Sequence, residues 1–372
     1  MRAGKGFLQR YIFWLFLFGL VLLFSGCLQN FFLPNSQQEK GAGNVPSQEE
    51  KPRRAEIEDL PVGVLYPRLY LVDGKKEYLL PVTVALPWTE GVAKATLNKL
   101  IEGPTPAQEM RYGLNSPLPP ATKVRGLAIR EGLAKLDLSA DFLDYDPGEE
   151  RFVLNSVLFT LLQFPAVKKV QLLVEGAPLE TFPGGTAGKE AFGPEEGLNR
   201  ETKEDEFPGL GKTQGVTVYF CTLLGENHVF YVPVTRFVPA EEDPVAAAVK
   251  ELLKGPQAGR SLFSNLPAVA GLRSYRLEEG LLTVDFSREL LGYQGGLRGE
   301  KNILMQLVLT LTAIPGVEKV QVLIAGEGID LPYGTSFKEP LAQPVLVNAL
   351  FSSYQGSVPD SPEKNGINNQ AD

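Results

Sequence analysis

The side chains with chemical reach in this sequence are few. His228 is the one histidine in 372 residues, and it falls in ENHVF between two strand-like runs. Metal-assisted hydrolysis needs several nitrogen, sulfur or oxygen ligands converging on one ion, and a serine triad needs a strained nucleophile turn such as GxSxG. Neither is present, since no second histidine or suitably placed cysteine accompanies His228 and no GxSxG occurs. His228 therefore reads as a solvated turn residue. Carboxylate pairs are harder to set aside, because glycoside hydrolysis asks only for two acids roughly 5–10 Å apart. Asp137 and Asp285 are the obvious pair, standing at matching places in LDLS and VDFS. Each also lies two residues before a serine at the expected start of a helix. Asp137 with Ser139, and Asp285 with Ser287, would there satisfy orphan amides, and capping is the preferred reading. The expectation is a protein with no catalytic residues, no metal and no cofactor, with peptidoglycan cleavage as the enzyme alternative.

The two cysteines, Cys27 and Cys221, are too few for a disulfide framework or a four-cysteine zinc site. Cys221, in VTVYFCTLL, reads as a small buried thiol of a strand. Cys27 stands differently. Arg2, Lys5 and Arg10 precede an uncharged run from Tyr11 to Phe24, and Ser25, Gly26 and Cys27 follow, which is the order of a signal peptide. The run is shorter than the roughly 20 residues of a comfortable membrane span, although Phe7 and Leu8 could lengthen it into an uncut signal anchor. The FSGC step resembles the lipobox of bacterial lipoproteins, with Phe24 where Leu is more usual. That resemblance implies cleavage between Gly26 and Cys27 and lipidation of the Cys27 sulfur. The mature chain would then be tethered outside the cytoplasmic membrane by acyl chains sufficient for stable anchoring.

Composition bounds the rest. With 44% apolar and 22% charged residues the chain is globular in type, and its length suits two ordinary domains. A net charge of −8, with no basic block beyond the N-terminus, argues against nucleic acid. GLGKT, Gly209 to Thr213, lacks the GxxxxGK[ST] spacing of a phosphate loop and has no strand before it, so it reads as linker; Glu204 to Glu206 reads as a solvated acidic run.

A tandem repeat supplies the elements that must position these residues. FPAVKKVQLLVEG, Phe164 to Gly176, returns as IPGVEKVQVLIAG, Ile314 to Gly326. YLLPVTV matches FYVPVTR, each with a proline suited to an edge strand or bulge, and GVAKATLNKLIEGP matches PVAAAVKELLKGP, each a helix stopped by Gly-Pro. EGLAKLDLS matches EGLLTVDFS as a hairpin arm, FVLNSVLFTLLQFP matches NILMQLVLTLTAIP as a central helix, and the quoted strand follows, apolar enough to be covered on both faces. The order in each copy is strand, strand, helix, strand, strand, helix, strand. This gives an α+β fold made of two similar domains, each a mixed sheet with two helices on one face. KEAFGPEEGLN and KEPLAQPVLVN extend the match to Asn199 and Asn348. The expected organisation is a signal peptide over 1–26, a flexible stalk over 27–60, domain 1 over 61–200, a linker over 201–213, domain 2 over 214–350 and a disordered tail over 351–372. Two separately folded domains packed together suit the long period better than a solenoid.

The EGP after the first helix, the LDLS or VDFS step, the apolar helix and the VKKVQLLVEG or VEKVQVLIAG strand together resemble the GerMN domain. A lipobox followed by two such domains resembles the sporulation and spore-germination lipoproteins of endospore-forming Firmicutes. The resemblance implies a non-enzymatic role between mother-cell and forespore membranes, supporting assembly or localisation of membrane complexes through protein partners. It leaves oligomer or ring formation open. A second class of function is a ligand-binding envelope lipoprotein with a small molecule or glycan between the domains, where Trp88, Tyr112, Tyr145, Tyr275 and Tyr293 could line a cleft. No ligand-binding residue is singled out by sequence.

Overall fold

The computed structural model describes residues 60–201 and 213–350. The expectations for the signal peptide, Gly26, Cys27, the stalk, the acidic run 204–206, Gly209 to Lys212 and the tail lie outside the described residues.

Copy 1 begins with the hairpin of β1 (Arg68–Asp73) and β2 (Leu79–Thr83). Its turn is fixed by Asp73, whose Oδ1 accepts the amides of Glu77 at 2.8 Å and Tyr78 at 2.7 Å, the local bonding that favours Asp in turns. Helix α1 (Val92–Glu102) buries Ala93, Leu97 and Leu100 on one stripe and stops at Gly103, whose φ of 74° needs no Cβ, before Pro104. Next comes a helix the repeat pattern did not anticipate, α2 (Pro106–Tyr112). Its signal was present in TPAQ: Thr105 and Gln108 form a reciprocal capping box with Pro106 in the first turn. Short β3 (Leu114–Asn115) returns to pair with β1.

The second half of copy 1 is the hairpin of β4 (Val124–Arg130) and β5 (Leu133–Leu138), then α3 (Glu150–Leu162) and β6 (Lys169–Val174). Glu131 and Gly132 both sit at positive φ, 50° and 82°, as a two-residue hairpin turn that follows strand twist requires. β6 runs parallel to β5 after the α3 crossover.

Copy 2 repeats this plan. β7 (Thr213–Leu224) and β8 (His228–Pro239) form the first hairpin, and α4 (Pro244–Leu253) follows with Asp243 accepting from the amides of Val245 and Ala246. Pro244 occupies the first helical turn, as expected. β9 (Leu262–Phe263), β10 (Leu272–Glu278), β11 (Leu281–Phe286), α5 (Gly296–Leu311), β12 (Lys319–Ile324) and β13 (Leu341–Ala342) complete it. Glu279 and Gly280 form the matching hairpin turn at φ 47° and 80°.

The α+β class and the order of the main elements agree with the sequence reading. Apart from a two-stranded pairing of Val64–Leu65 with Leu86–Pro87 in copy 1, the strands of each copy divide between two sheets. One is antiparallel, ordered β2-β1-β3 in copy 1 and β8-β7-β9 in copy 2; the other is mixed, ordered β4-β5-β6 and β10-β11-β12-β13. Pro81 and Pro233 lie in β2 and β8, the edge strands of their sheets, where a missing amide breaks no ladder. The repeated strands β6 and β12 alternate between fully buried and partly buried residues, so one face is sealed and the other only part-covered. Their second-face residues include Gln171 and Gln321, which hydrogen-bond loop carbonyls at Gly188 and Phe337. The largest cluster of buried apolar residues runs through both copies, from Leu69 to Leu350, with three smaller clusters beside it.

Candidate functional site

Asp137 and Asp285 do not cap helices. Both lie within strands, β5 and β11, and each holds the turn that follows the neighbouring parallel strand. Asp137 Oδ1 accepts from the amide of Gly176 at 2.8 Å and Oδ2 from Arg125 Nε at 3.2 Å. Asp285 Oδ1 accepts from Gly326 at 2.8 Å and Oδ2 from Arg273 at 2.9 Å. Ser139 and Ser287 precede 3₁₀ turns without capping them, and accept instead the amides of Lys123 and Gly271, each at 3.0 Å. Alternation places each Asp in the strand, two residues before the serine at which the helix was expected to start. The acids are clamps on the EG and AG turns that close the repeated strands, both at positive φ.

A second pair of carboxylates, missed in the sequence, is more deeply placed. Glu150 begins α3 and Glu300 lies in the first turns of α5; they are 4% and 0% exposed. Glu150 accepts from the Tyr145 hydroxyl at 3.0 Å, from the amide of Thr186 at 2.9 Å and from that of Gly184. Glu300 accepts from the amides of Tyr333 at 2.7 Å and Thr335 at 3.0 Å and from the Tyr293 hydroxyl. Burial works to raise each carboxyl, but the convergent donors prevail and hold both below the usual carboxylate range. Burial first, and then the bond to the carboxylate, pushes the Tyr145 and Tyr293 hydroxyls up. The amide donors close the PGGT or PYGT loop and the tyrosine hydroxyls tie the segment before the helix to the same carboxylate, so these glutamates secure the fold. The signal was the similar spacing, 36 residues from Glu150 to Thr186 and 35 from Glu300 to Thr335.

The two copies meet along β2 and β8, joined by a reciprocal clasp. Asn199 Oδ1 accepts from the Leu79 amide at 2.9 Å, and its Nδ2 donates to the carbonyls of Leu79 at 2.7 Å and Pro233 at 2.8 Å. Asn348 does the same from the other side: Oδ1 accepts from Tyr231 at 2.8 Å, and Nδ2 donates to Tyr231 at 2.8 Å and Pro81 at 2.9 Å. Leu79 matches Tyr231 and Pro81 matches Pro233 in the repeat, so the junction has the reciprocity of a twofold dimer within one chain. Prolines on both edges remove the amides a direct ladder would use, and the asparagine amides supply donors instead. Both asparagines adopt a left-handed φ, 50° and 52°, which Asn tolerates. Thr83 and Thr235 complete the clasp. Thr83 binds both the amide and the carbonyl of Val347 at 2.9 Å, while Thr235 accepts from the amide of Leu198 at 2.9 Å and donates its own to the Leu198 carbonyl at 2.8 Å. Each copy's last residues therefore cross to the other's hairpin.

His228 belongs to this junction and is no solvated turn residue. It opens β8 with its ring 5.1 Å from that of Tyr112, edge to face, and its Nε2 3.4 Å from Arg111. No group of three or more metal-ligating side chains occurs among the described residues. Cys221 is buried in β7, as expected, and burial pushes its thiol up to about 12. The five aromatics do not share a cleft. Tyr112 packs on His228 and Phe230, Tyr145 and Tyr293 serve the buried glutamates, and Trp88 and Tyr275 are exposed.

Comparisons with known proteins agree with this repeat. A family model described as Germane, sporulation and spore germination, matches residues 68–180 and again 217–330. The spore germination protein GerM of Bacillus subtilis (strain 168) is 32% identical over 286 residues, covering 75% of this chain and 77% of that protein. The solved structure of the tandem GerMN domains of that sporulation protein superposes with a TM-score of 0.67 at 31% identity, over 77% of this chain and 99% of the other.

Proposed function

The chain belongs to the Germane family, and from that membership we propose that it works in sporulation and germination as a membrane-tethered, non-enzymatic adaptor. The observation that carries this reading is the clasp. Two copies bridged by Asn199, Asn348, Thr83 and Thr235 over a continuous core form a stiff double module and not a hinged pair. A stiff module presents its outer surfaces in a fixed relation, which is what an assembly platform needs and what a closing catalytic cleft does not. The edges of β2 and β8 are spent on the junction. Those of β4 and β10, the outer strands of the mixed sheets, are left for partner proteins. Lipidation of Cys27 would hold this platform at the outer face of the membrane, and the residues up to 59 would set its distance from the lipid.

Crosslinking in sporulating cells, followed by capture of the protein, tests the adaptor. Membrane-complex proteins should be recovered with the wild type and lost with Cys27→Ala, which should also lose a clickable fatty-acid label. Recovery of wall fragments or transport substrates without any membrane protein would replace the reading with a hydrolase or a carrier.

A further inference from the structure

A cavity of about 270 Å³ lies against α3 of copy 1, beside the junction, and its lining includes Tyr78, Arg151, Asn155, Arg200, Glu201 and Arg260. Three features make it unlike an ordinary packing gap. Arg151, Arg200 and Arg260 line one small space together with Glu77, Glu196 and Glu201, and none of the three arginines forms an ion pair with a carboxylate among the described residues. The Cζ atoms of Arg151 and Arg200 lie 4.5 and 4.8 Å from the ring centres of Phe152 and Phe237, which help to hold the fans in place. Two buried polar atoms of the lining residues, the Tyr78 hydroxyl and Glu201 Oε1, lack a hydrogen-bond partner, although Tyr78 is 3% exposed and Glu201 6%. Such groups are costly in a low-dielectric interior and call for an explanation.

The repeat provides an internal control for whether the fold needs this polarity. At the matching positions of copy 2, Tyr78 is Phe230, Asn155 is Met305, Arg200 is Ala349 and Glu201 is Leu350. Copy 2 builds the same hairpin, the same helix and the same asparagine clasp with apolar side chains at these four positions, although it keeps a cation, Lys301, where copy 1 has Arg151, and has Asn302 in place of Phe152. Tyr78, Asn155, Arg200 and Glu201 are therefore an addition to the fold.

We propose that this cavity is a binding site for a small acidic sugar. The three arginines fit a carboxylate, for which arginine is the best planar donor, while the Glu77 and Glu196 carboxylates can only accept, which suits the hydroxyls of a sugar. Glu201 Oε1 is an acceptor waiting for a ligand hydroxyl or amide, Tyr78 and Asn155 can both donate and accept, and the rings of Phe152 and Phe192 offer an apolar wall to one sugar face. The volume suits one monosaccharide. Such an acid could come from the cell wall or from a free uronic acid, which share the carboxylate and hydroxyl chemistry. The site is independent of the adaptor reading, and either can fail without the other.

The test is calorimetric titration of the full-length protein in detergent with N-acetylmuramic acid, glucuronic acid and, as the neutral control, N-acetylglucosamine. Saturable binding is expected for at least one acid, weakened about tenfold or more for the neutral sugar, since a hydrogen bond to a charged group is worth roughly 1.5–3 kcal/mol. Preference for N-acetylmuramic acid assigns a wall source, and preference for glucuronic acid a free one. Arg200→Ala and Tyr78→Phe install the residues copy 2 already tolerates. They should weaken the acid about tenfold or more and about threefold or more respectively, with unchanged thermal unfolding. No saturable binding of either acid, or binding equal in wild type and Arg200→Ala, overturns the proposal.

Discussion

At the head of its central helix each copy buries one glutamate, Glu150 or Glu300, on three equivalent donors, while at the edge facing the other copy the two part company. Copy 1 has Val84 and Lys99 where copy 2 has Arg236 and Glu251. Arg236 is buried and bonds Glu201 Oε2 through Nε at 3.0 Å and Nη2 at 2.6 Å, with Glu251 3.4 Å from Nη1. Glu201 comes from the end of copy 1, so the charge network is a one-sided lock added to a symmetric clasp. The comparison separates what the architecture requires, which is written twice, from what one copy alone carries.

The largest effect should come from the element both copies share. Glu300→Ala strands two amides and a tyrosine hydroxyl, each costing about 1–3 kcal/mol when left unpaired, so urea unfolding should show a loss of about 4–5 kcal/mol, and Glu150→Ala a similar one. Unequal losses would break the equivalence of the two loops. The same pair sets a pH dependence. Both carboxyls are lowered from an ordinary 4.5 in the folded state, so their contribution is complete above that value and is lost as pH falls through the lower folded pKa. A Glu150→Gln, Glu300→Gln double variant should flatten the acid limb of the stability curve by up to about two protons.

Next in size is the one-sided lock. Arg236→Val gives copy 2 the residue of copy 1 but leaves Glu201 buried without its cation, while Glu251 keeps Lys254, and should cost about 3–5 kcal/mol. Adding Glu201→Leu, the residue at the matching position 350, should recover most of that loss, because a well-packed apolar replacement of a buried ion pair is near neutral. A double variant no more stable than Arg236→Val would show that the lock is required and not merely added.

The symmetric clasp should respond evenly. Asn199→Gly and Asn348→Gly keep the positive φ and delete only the amide bonds, so each should lose about 2–3 kcal/mol. A hydrogen-exchange experiment should find the amides of Leu79 and Tyr231 opening earlier in their respective variants. Loss in one variant alone would mean that the junction is not reciprocal.

These asparagines mark the limit of what was legible in the chain. The main strands and helices could be read because they depend on local pattern: the Gly-Pro stops, the EG turns and the alternation in LDLS were all present as residues. Asn199 and Asn348 were visible as a match but not as a clasp, since nothing local says that the end of one copy reaches the other's hairpin. Asp137 misled for a related reason. A Ser two residues on looked like a helix start, yet its partners, Gly176 and Arg125, lie 39 and 12 residues away in sequence. Glu150 and Glu300 were hidden among 44 acids because their amide donors come from loops more than 30 residues downstream. Helix α2 was readable in TPAQ, but copy 2 has no counterpart, and the repeat drew attention away from it.

The smallest effect sharpens the comparison most. Tyr78→Phe replaces the residue of copy 1 with that of copy 2 and removes a buried hydroxyl that has no partner. Burial has pushed that hydroxyl up to about 12, so it stays protonated and neutral across the working pH range. Deleting an unpaired polar atom forfeits no hydrogen bond, and Phe230 shows that the ring alone packs at this place. Unfolding free energy should therefore stay within about 0.5 kcal/mol of wild type or rise slightly. A loss above about 1 kcal/mol would mean that ordered water already bridges Tyr78 to Glu201. The polar lining would then belong to the fold of copy 1 and not to a ligand, so this quiet substitution decides how the one-sided features of the molecule are to be understood.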